Sequence, residues 1–311
     1  MSESKNRVLV IGAGAVGVLY SGRLARAGFN VSVVARSDYD AVKADGYAVK
    51  SVDGDFRFQP ESVYRSAEEA GKGWDYVIVA TKAVPSLDPA ELLRPVAESG
   101  TAAVILQNGI RNEESVYRAY EENGVEVIGG LAFVCAARTG PASIHHQDYG
   151  GLTLGSYPSG VSEKCRALAE GFNAAGVQCR TTIDLAEARW KKLCWNAAFN
   201  PLSVLSGGRN TEELVHDPDM AETVLGVMRE VMALSVADGH GFDEEHVDRN
   251  FEDTLRMKPY EPSMLLDFKA GRPMEVDAIL GRAVHLARDL GISVPRLETL
   301  FSLLKLVDGR A

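Results

Sequence analysis

Cysteine is scarce: Cys135, Cys165, Cys179 and Cys194 are the only four in 311 residues, and no two of them form a C-x-x-C pair. A chain this long, with 46% hydrophobic residues, can bury a core without disulfide staples. The thiols therefore read as reduced and the setting as cytoplasmic. Long apolar runs are missing as well. None approaches the roughly 18 residues of a membrane-crossing helix, so no membrane association is expected. The short apolar stretch from Val8 to Tyr20 follows Lys5 and Arg7, but it holds Gly12, Gly14 and Gly17 and no small-residue cleavage site comes after it. We read no export signal there. Positive charge is in deficit, with 33 Lys and Arg against 43 Asp and Glu and a formal net charge of −10. A general nucleic-acid binder needs a basic face to neutralise phosphates, so that class is set aside, although a local basic cleft is compatible with the composition. Internal repeats and low-complexity segments are absent too.

What is present is an alternation of short apolar runs with helix-like segments. Val8 to Ile11 reads as a strand, Ala15 to Ala27 as a helix and Val31 to Val34 as a second strand. Further apolar runs stand at Tyr76 to Ala80, Ala103 to Leu106 and Val125 to Ile128. Runs that are apolar at consecutive positions suit central strands of a parallel sheet covered on both faces. Ser143 to Tyr157 reads as added edge strands, with Gly150, Gly151 and Gly155 at turns. From about Thr182 strand-like runs give way to amphipathic helices. One is capped by Asp184 and runs through Trp190 and Asn196, and others begin near Pro218, Asp243, Glu275 and Pro295. The expectation is an α/β fold: an N-terminal Rossmann-type, doubly wound parallel sheet over residues 1–182, then an all-helical C-terminal domain over 183–311.

The segment Gly12-Ala13-Gly14-Ala15-Val16-Gly17 is a G-x-G-x-x-G motif set between the first strand and the first helix. In that place the first glycine permits a tight turn, the second lets backbone approach a pyrophosphate and the third lets helix pack on strand. The helix N-terminus adds unpaired N–H groups and the positive end of a dipole. About twenty residues on, where an NAD site carries an acidic residue, the chain reads Val34-Ala35-Arg36-Ser37. Arg36 is either a solvated surface arginine or the cation for the 2′-phosphate of NADPH, and the lack of an acid at that position favours the second reading.

Beyond the glycine loop, Thr81-Lys82-Ala83, Gln107-Asn108-Gly109, Trp190-Lys191-Lys192-Leu193 with Asn196 and Asn200-Pro201, Pro262-Ser263-Met264 and Gly271-Arg272-Pro273-Met274-Glu275-Val276-Asp277 follow in order. This set resembles the ketopantoate reductases (2-dehydropantoate 2-reductases) over essentially the whole chain. The resemblance implies NADPH-dependent reduction of 2-dehydropantoate to (R)-pantoate, a step towards pantothenate and coenzyme A. It implies Lys192 as general acid with Glu275 beside it. Asn108 would lie near the nicotinamide, Asn196, Asn200 and Asn210 on the substrate side, Ser263 on the substrate, and Lys82 on the cofactor side. Leu280 stands where related enzymes often carry asparagine, which leaves room for another small 2-oxo acid as substrate. A non-catalytic NADP(H)-binding sensor is the third reading, and it needs only the glycine loop and Arg36. Pairing of the helical domain into a homodimer is expected by analogy alone.

The residues themselves bear on these roles. Lys192, Asn196 and Asn200 are spaced i, i+4 and i+8, so on a helix they form one polar stripe, which is either a solvent-facing side or the wall of a polar pocket. Ketone reduction needs a donor aimed at the carbonyl oxygen, and a lysine tuned by burial and a neighbouring carboxylate can be one. Glu275 also suits the first turn of a helix by its charge alone. His145 and His146 are adjacent on a strand, point to opposite faces and make a poor metal pair; no metal is expected. Arg36, Lys82 and Lys192 are expected to face one interdomain cleft, where two anionic ligands would bind despite the acidic net charge.

Overall fold

The computed structural model describes residues 6–309, so Lys5 lies outside the described residues. The chain divides into two compact units. The first takes in the described residues up to Lys82, then Leu87–Gln107 and Asn112–Leu185. The second takes in Ala83–Ser86, Asn108–Arg111 and the residues from Ala186 onward.

The first unit is built on a ten-stranded sheet. Its strands are β1 (Arg7–Ile11), β2 (Asn30–Val34), β3 (Tyr47–Ser51), β4 (Phe56–Phe58), β5 (Val63–Tyr64), β6 (Tyr76–Val79), β7 (Ala102–Ile105), β8 (Glu126–Gly140), β9 (Ser143–Tyr157) and β10 (Cys179–Thr181). The order is β4-β3-β9-β8-β7-β6-β1-β2-β5, with β10 paired to β9. From β5 to β8 every pairing is parallel. That portion has the two-halved order of a dinucleotide-binding sheet, which reverses direction beside β1. The consecutive apolar residues of β1 serve both faces. Val8 and Val10 enter one core, with Val18, Leu24 and Phe172, while Leu9 and Ile11 enter the other, with Val77, Leu93 and Val116.

Ser143–Tyr157 departs from the reading of short edge strands. It is one long strand inside the sheet, antiparallel to β8 and parallel to β3. Its register with β8 shifts at three places, and Gly150 lies at one of them with φ +125°. A bulge absorbs such a residue without ending the strand. The glycines mark irregularity in the ladder rather than turns.

In the second unit the principal helices are Leu185–Leu205, Thr211–His216, Pro218–Ala237, Glu244–Arg256, Ser263–Lys269, Arg282–Leu290 and Pro295–Asp308. They pack around Trp190, Leu193, Phe199, Val227, Val231, Leu265, Leu280 and Leu297, and Ile110 joins the same core. Asp217 and Asp243 cap their helices by accepting from the backbone N–H groups of Met220 and His246. Gly291 ends Arg282–Leu290 in the left-handed region. The helix expected over 275–290 differs in its first part, where Asp277–Gly281 forms a π turn. Among the described residues, no helix is long and apolar enough to cross a membrane.

Candidate active site

The glycine loop lies in the first unit, between β1 and the helix Ala15–Arg26. Gly12 has φ +100°, and a Cβ there would come within 2.4 Å of the Thr81 nitrogen and 2.6 Å of the Ala80 carbonyl carbon. A Cβ on Gly17 would come within 2.2 Å of the Gly12 oxygen. Gly14 differs, because nothing lies within 4 Å of a Cβ built on it. Gly12 and Gly17 are thus required by the protein's own packing, whereas Gly14 leaves open space above the loop. Ala13, Ala15 and Val16 complete the turn and are half-buried. Gly14 is the N-cap and offers no side chain to the helix, whose first turn holds no acidic residue. The leading N–H groups of that helix therefore keep their capacity for an anion.

Arg36 is exposed just past β2. The two nearest acids are already engaged: Asp38 accepts from Arg138 at 2.6 and 2.5 Å and from the Ala142 backbone, and Asp40 pairs with Arg65 at 3.0 Å. Lys82 is half-buried in the same unit, and its carbonyl accepts from Nε2 of Gln107 at 3.3 Å.

The helical unit brings Lys192, Asn108 and Glu275 together. Lys192 Nζ donates to Oδ1 of Asn108 at 2.9 Å, and Asn108 Nδ2 donates to Oε2 of Glu275 at 2.9 Å. Glu275 Oε1 accepts the Ala83 backbone N–H at 2.8 Å. Burial pushes the Lys192 ammonium down to about 7, and the Arg189 guanidinium pushes the same way, against the pull of Glu275. Arg189 itself is buried and donates to the Gly109 carbonyl at 3.1 Å.

The stripe beyond Lys192 is not a solvent-facing side. Asn196 is half-buried, and Asn200 is 2% exposed. Asn200 Oδ1 accepts from Ser263 Oγ at 3.3 Å and from the Met264 N–H at 3.1 Å, which ties that amide to the start of the Ser263–Lys269 helix. Asn210 acts on its own helix: its side chain accepts the Glu213 N–H, and Glu213 returns the bond to the Asn210 N–H, closing a capping box. Leu280 is fully buried in the helical core and so lines no open pocket. The Ala83 N–H, Arg189 and the π turn are additions that the sequence motifs do not announce. A backbone donor, a buried arginine and a widened helical turn have no distinctive residue signature in sequence. Burial raises the thiols of Cys165, Cys179 and Cys194, to about 11 for the first and about 12 for the other two, so none is poised as a nucleophile.

A mixed sheet whose parallel portion carries a glycine turn at the end of β1, together with a helical unit holding a lysine–amide–carboxylate chain, defines a Rossmann-type oxidoreductase. The chain belongs to the ketopantoate reductase family: ketopantoate reductase PanE/ApbA matches residues 8–159, and ketopantoate reductase PanE/ApbA C terminal matches 184–308. A 2-dehydropantoate 2-reductase of Nostoc sp. is 36% identical, covering 100% of this chain and 97% of its own length. Among solved structures, 2-dehydropantoate 2-reductase from Methylococcus capsulatus superposes with a TM-score of 0.91 at 44% identity, covering 98% of this chain and 97% of that one. The enzyme of the same name from Geobacter metallireducens gives 0.90 at 38% identity, with 96% and 99% covered. The family is one of nicotinamide-dependent reductases.

Proposed function

We propose that the protein is an NADPH-dependent 2-dehydropantoate 2-reductase, forming (R)-pantoate for pantothenate and coenzyme A synthesis, with Lys192 as general acid. The observation that carries this reading is the chain Lys192–Asn108–Glu275, which holds an ammonium with a pKa near neutrality against a carboxylate-anchored amide. The relatives named above support the substrate.

Gly12 to Gly17 and the uncapped N-terminus of Ala15–Arg26 suit a dinucleotide pyrophosphate, and Arg36 suits the 2′-phosphate. Lys82 adds a cation on the cofactor side. The nicotinamide, when bound, supplies the hydride that reduces the keto carbon. Lys192 in its protonated form donates to the keto oxygen and transfers its proton there as negative charge develops. Asn108 holds Nζ in place, and Glu275 fixes Asn108 and favours the charged lysine. Asn196, Asn200 and Ser263 orient the keto-acid skeleton, while the Asn210 side chain caps its own helix.

The test is steady-state turnover of 2-dehydropantoate and a panel of other 2-oxo acids, with NADPH and NADH side by side. Preferred turnover of 2-dehydropantoate with NADPH is the expected result. Preference for a different 2-oxo acid would overturn the substrate, and cofactor binding without turnover would leave a sensor. Lys192→Ala separates the last two cases, because in an enzyme it removes turnover while NADPH affinity stays near that of the unsubstituted protein.

A further inference from the structure

The short loop Asn108–Arg111 belongs to the helical unit although it lies far from it in sequence, and each of its four residues is gripped there. Asn108 bridges Lys192 and Glu275. Gly109 has φ +96°, and a Cβ on it would come within 2.3 Å of the Ala278 carbonyl oxygen, so backbone meets backbone. Its own carbonyl accepts from Arg189. Ile110 is buried in the helical core, and its carbonyl accepts from Nη1 of Arg282 at 2.8 Å. Arg111 adopts φ +59°, a left-handed backbone that strains any residue with a side chain. Its guanidinium donates to Oδ1 of Asp238 at 2.6 Å, and the other Asp238 oxygen accepts the Trp190 indole N–H at 2.9 Å.

Two features make this more than general packing. Ala278 lies in the π turn Asp277–Gly281, Arg282 follows it directly and Glu275 precedes it by two residues. One continuous segment therefore takes Asn108 Nδ2, walls Gly109 and holds the Ile110 carbonyl. On the other side, Trp190 is two residues from Lys192 on the same helix, so Asp238 links the far end of the loop to the helix that bears the lysine. π turns recur at functional sites because they re-aim side chains within a helix.

We propose that Arg282 and Asp238 are positioning residues for the keto-acid reduction, fixing the Asn108–Arg111 loop so that Asn108 stays between Lys192 and Glu275. The inference rests on the functional reading given above. Neither residue touches the reacting atoms; each acts through the loop. If the loop shifts, Nζ loses the oxygen of Asn108 while Arg189, on its own helix, continues to oppose its charge and Glu275 alone favours it. A misplacement of about 1 Å at a catalytic group can reduce rate a hundredfold.

The experiment uses the full chain with Arg282→Met, Arg282→Lys and Asp238→Asn. Arg282→Met keeps the aliphatic stem and removes the donor. We expect kcat to fall about tenfold or more. The KM for the keto acid and the cofactor Kd should stay within about twofold, a split that marks an interaction made mainly in the transition state. The alkaline limb of kcat/KM should move to lower pH. Arg282→Lys should restore most of the rate, because its ammonium can also donate to the Ile110 carbonyl. Asp238→Asn, which keeps an acceptor for Trp190 but weakens the hold on Arg111, should repeat the Arg282→Met behaviour in milder form. A folded Arg282→Met protein with an unchanged kcat would overturn the proposal, and so would a loss of rate with an unmoved pH limb. The pH dependence of acetic anhydride labelling at Lys192, read by mass spectrometry, reports the same displacement without turnover. A protein that reduces no 2-oxo acid, yet shows the labelling shift in Arg282→Met, would fail the functional reading and keep the positioning claim.

Discussion

Lys192 Nζ donates to Oδ1 of Asn108, and this single bond fixes which way round the Asn108 amide stands. An ammonium can only donate and an ionised carboxylate can only accept. With Lys192 on one side and Glu275 on the other, the amide oxygen must face the lysine and the amide nitrogen the glutamate. The chain is thus polarised from carboxylate to ammonium, and its end is the group that would meet the substrate.

The pH dependence of reduction follows from that polarity. In the proposed mechanism the general acid is the protonated lysine, which burial and Arg189 hold at about 7, so activity should be present below that value and be lost as pH rises through it. The alkaline limb of kcat/KM, which reports the free enzyme, should therefore fall near neutrality. The limb of kcat should lie at higher pH, because a bound 2-oxo acid brings a carboxylate that favours the charged lysine. Profiles between about pH 5 and 10 check both, and an unchanged limb in the residual activity of Lys192→Ala would count against the assignment. Stability moves in the opposite sense. Lys192 is lowered on folding from its ordinary 10.5, so the unfolded chain binds more protons between the two values and this group's contribution to stability improves as pH rises through that window. Thermal unfolding of the ligand-free protein, compared with Lys192→Met, measures it.

Glu275→Gln tests the other end of the chain. Both carboxylate oxygens accept, one from the Ala83 N–H and one from Asn108 Nδ2. A glutamine has one oxygen for these two donors, so its amide nitrogen must face a donor, and the mismatch costs about 1–3 kcal/mol. It also removes the charge that raises Lys192. We expect kcat to fall roughly tenfold to a hundredfold, with the alkaline limb of kcat/KM displaced to lower pH. A lower rate with an unmoved limb would show that Glu275 acts on Lys192 through position alone.

The central sheet is legible in sequence for a physical reason that fails at its margins. β1, β6 and β7 are covered on both faces, so each is apolar at nearly every position and stands out from its flanks, and β2 shows the same run broken only by the buried Ser32 after Asn30. β3 carries exposed Lys50, and β4 has exposed Arg57 between two phenylalanines, so neither shows such a run. β9 reads as an edge element because its glycines look like turns until a partner strand supplies the bulge. At the site, the residue types are readable but their contacts are not. Asn108 lies 84 positions from Lys192 and 167 from Glu275. Asn210 is the opposite case. Asn210-Thr211-Glu212-Glu213 carries the spacing of a capping box, and that local signal accounts for its side chain.

The glycine loop separates a packing role from the proposed binding role within six residues. Gly17→Ala would drive a Cβ to 2.2 Å from the Gly12 carbonyl oxygen, so it should destabilise the protein by several degrees of Tm before any ligand is considered. Gly14 has φ −82° and open space around a built Cβ, so Gly14→Ala should leave Tm within about two degrees. The same methyl would stand where backbone must approach a pyrophosphate, and cofactor affinity should drop about tenfold or more. Differential scanning fluorimetry with and without NADPH reads both effects. Equal losses of stability in the two variants would refute the division of labour.

Cofactor choice offers a last prediction, because the charges around Arg36 are already assigned. Asp38 is held by Arg138 and the Ala142 N–H, and Asp40 by Arg65, and Arg36 is exposed just past the end of β2. A charge-assisted contact to a 2′-phosphate is worth about 1.5–3 kcal/mol, and NADH has no such phosphate. Arg36→Ala should therefore weaken NADPH by about tenfold or more while NADH changes by less than about threefold. The effect should shrink at high salt, since an exposed pair is screened over a Debye length of about 10 Å at 0.1 M. Fluorescence titration of both cofactors at two ionic strengths checks it. Equal losses for NADPH and NADH would mean that Arg36 supports the loop and does not read the phosphate.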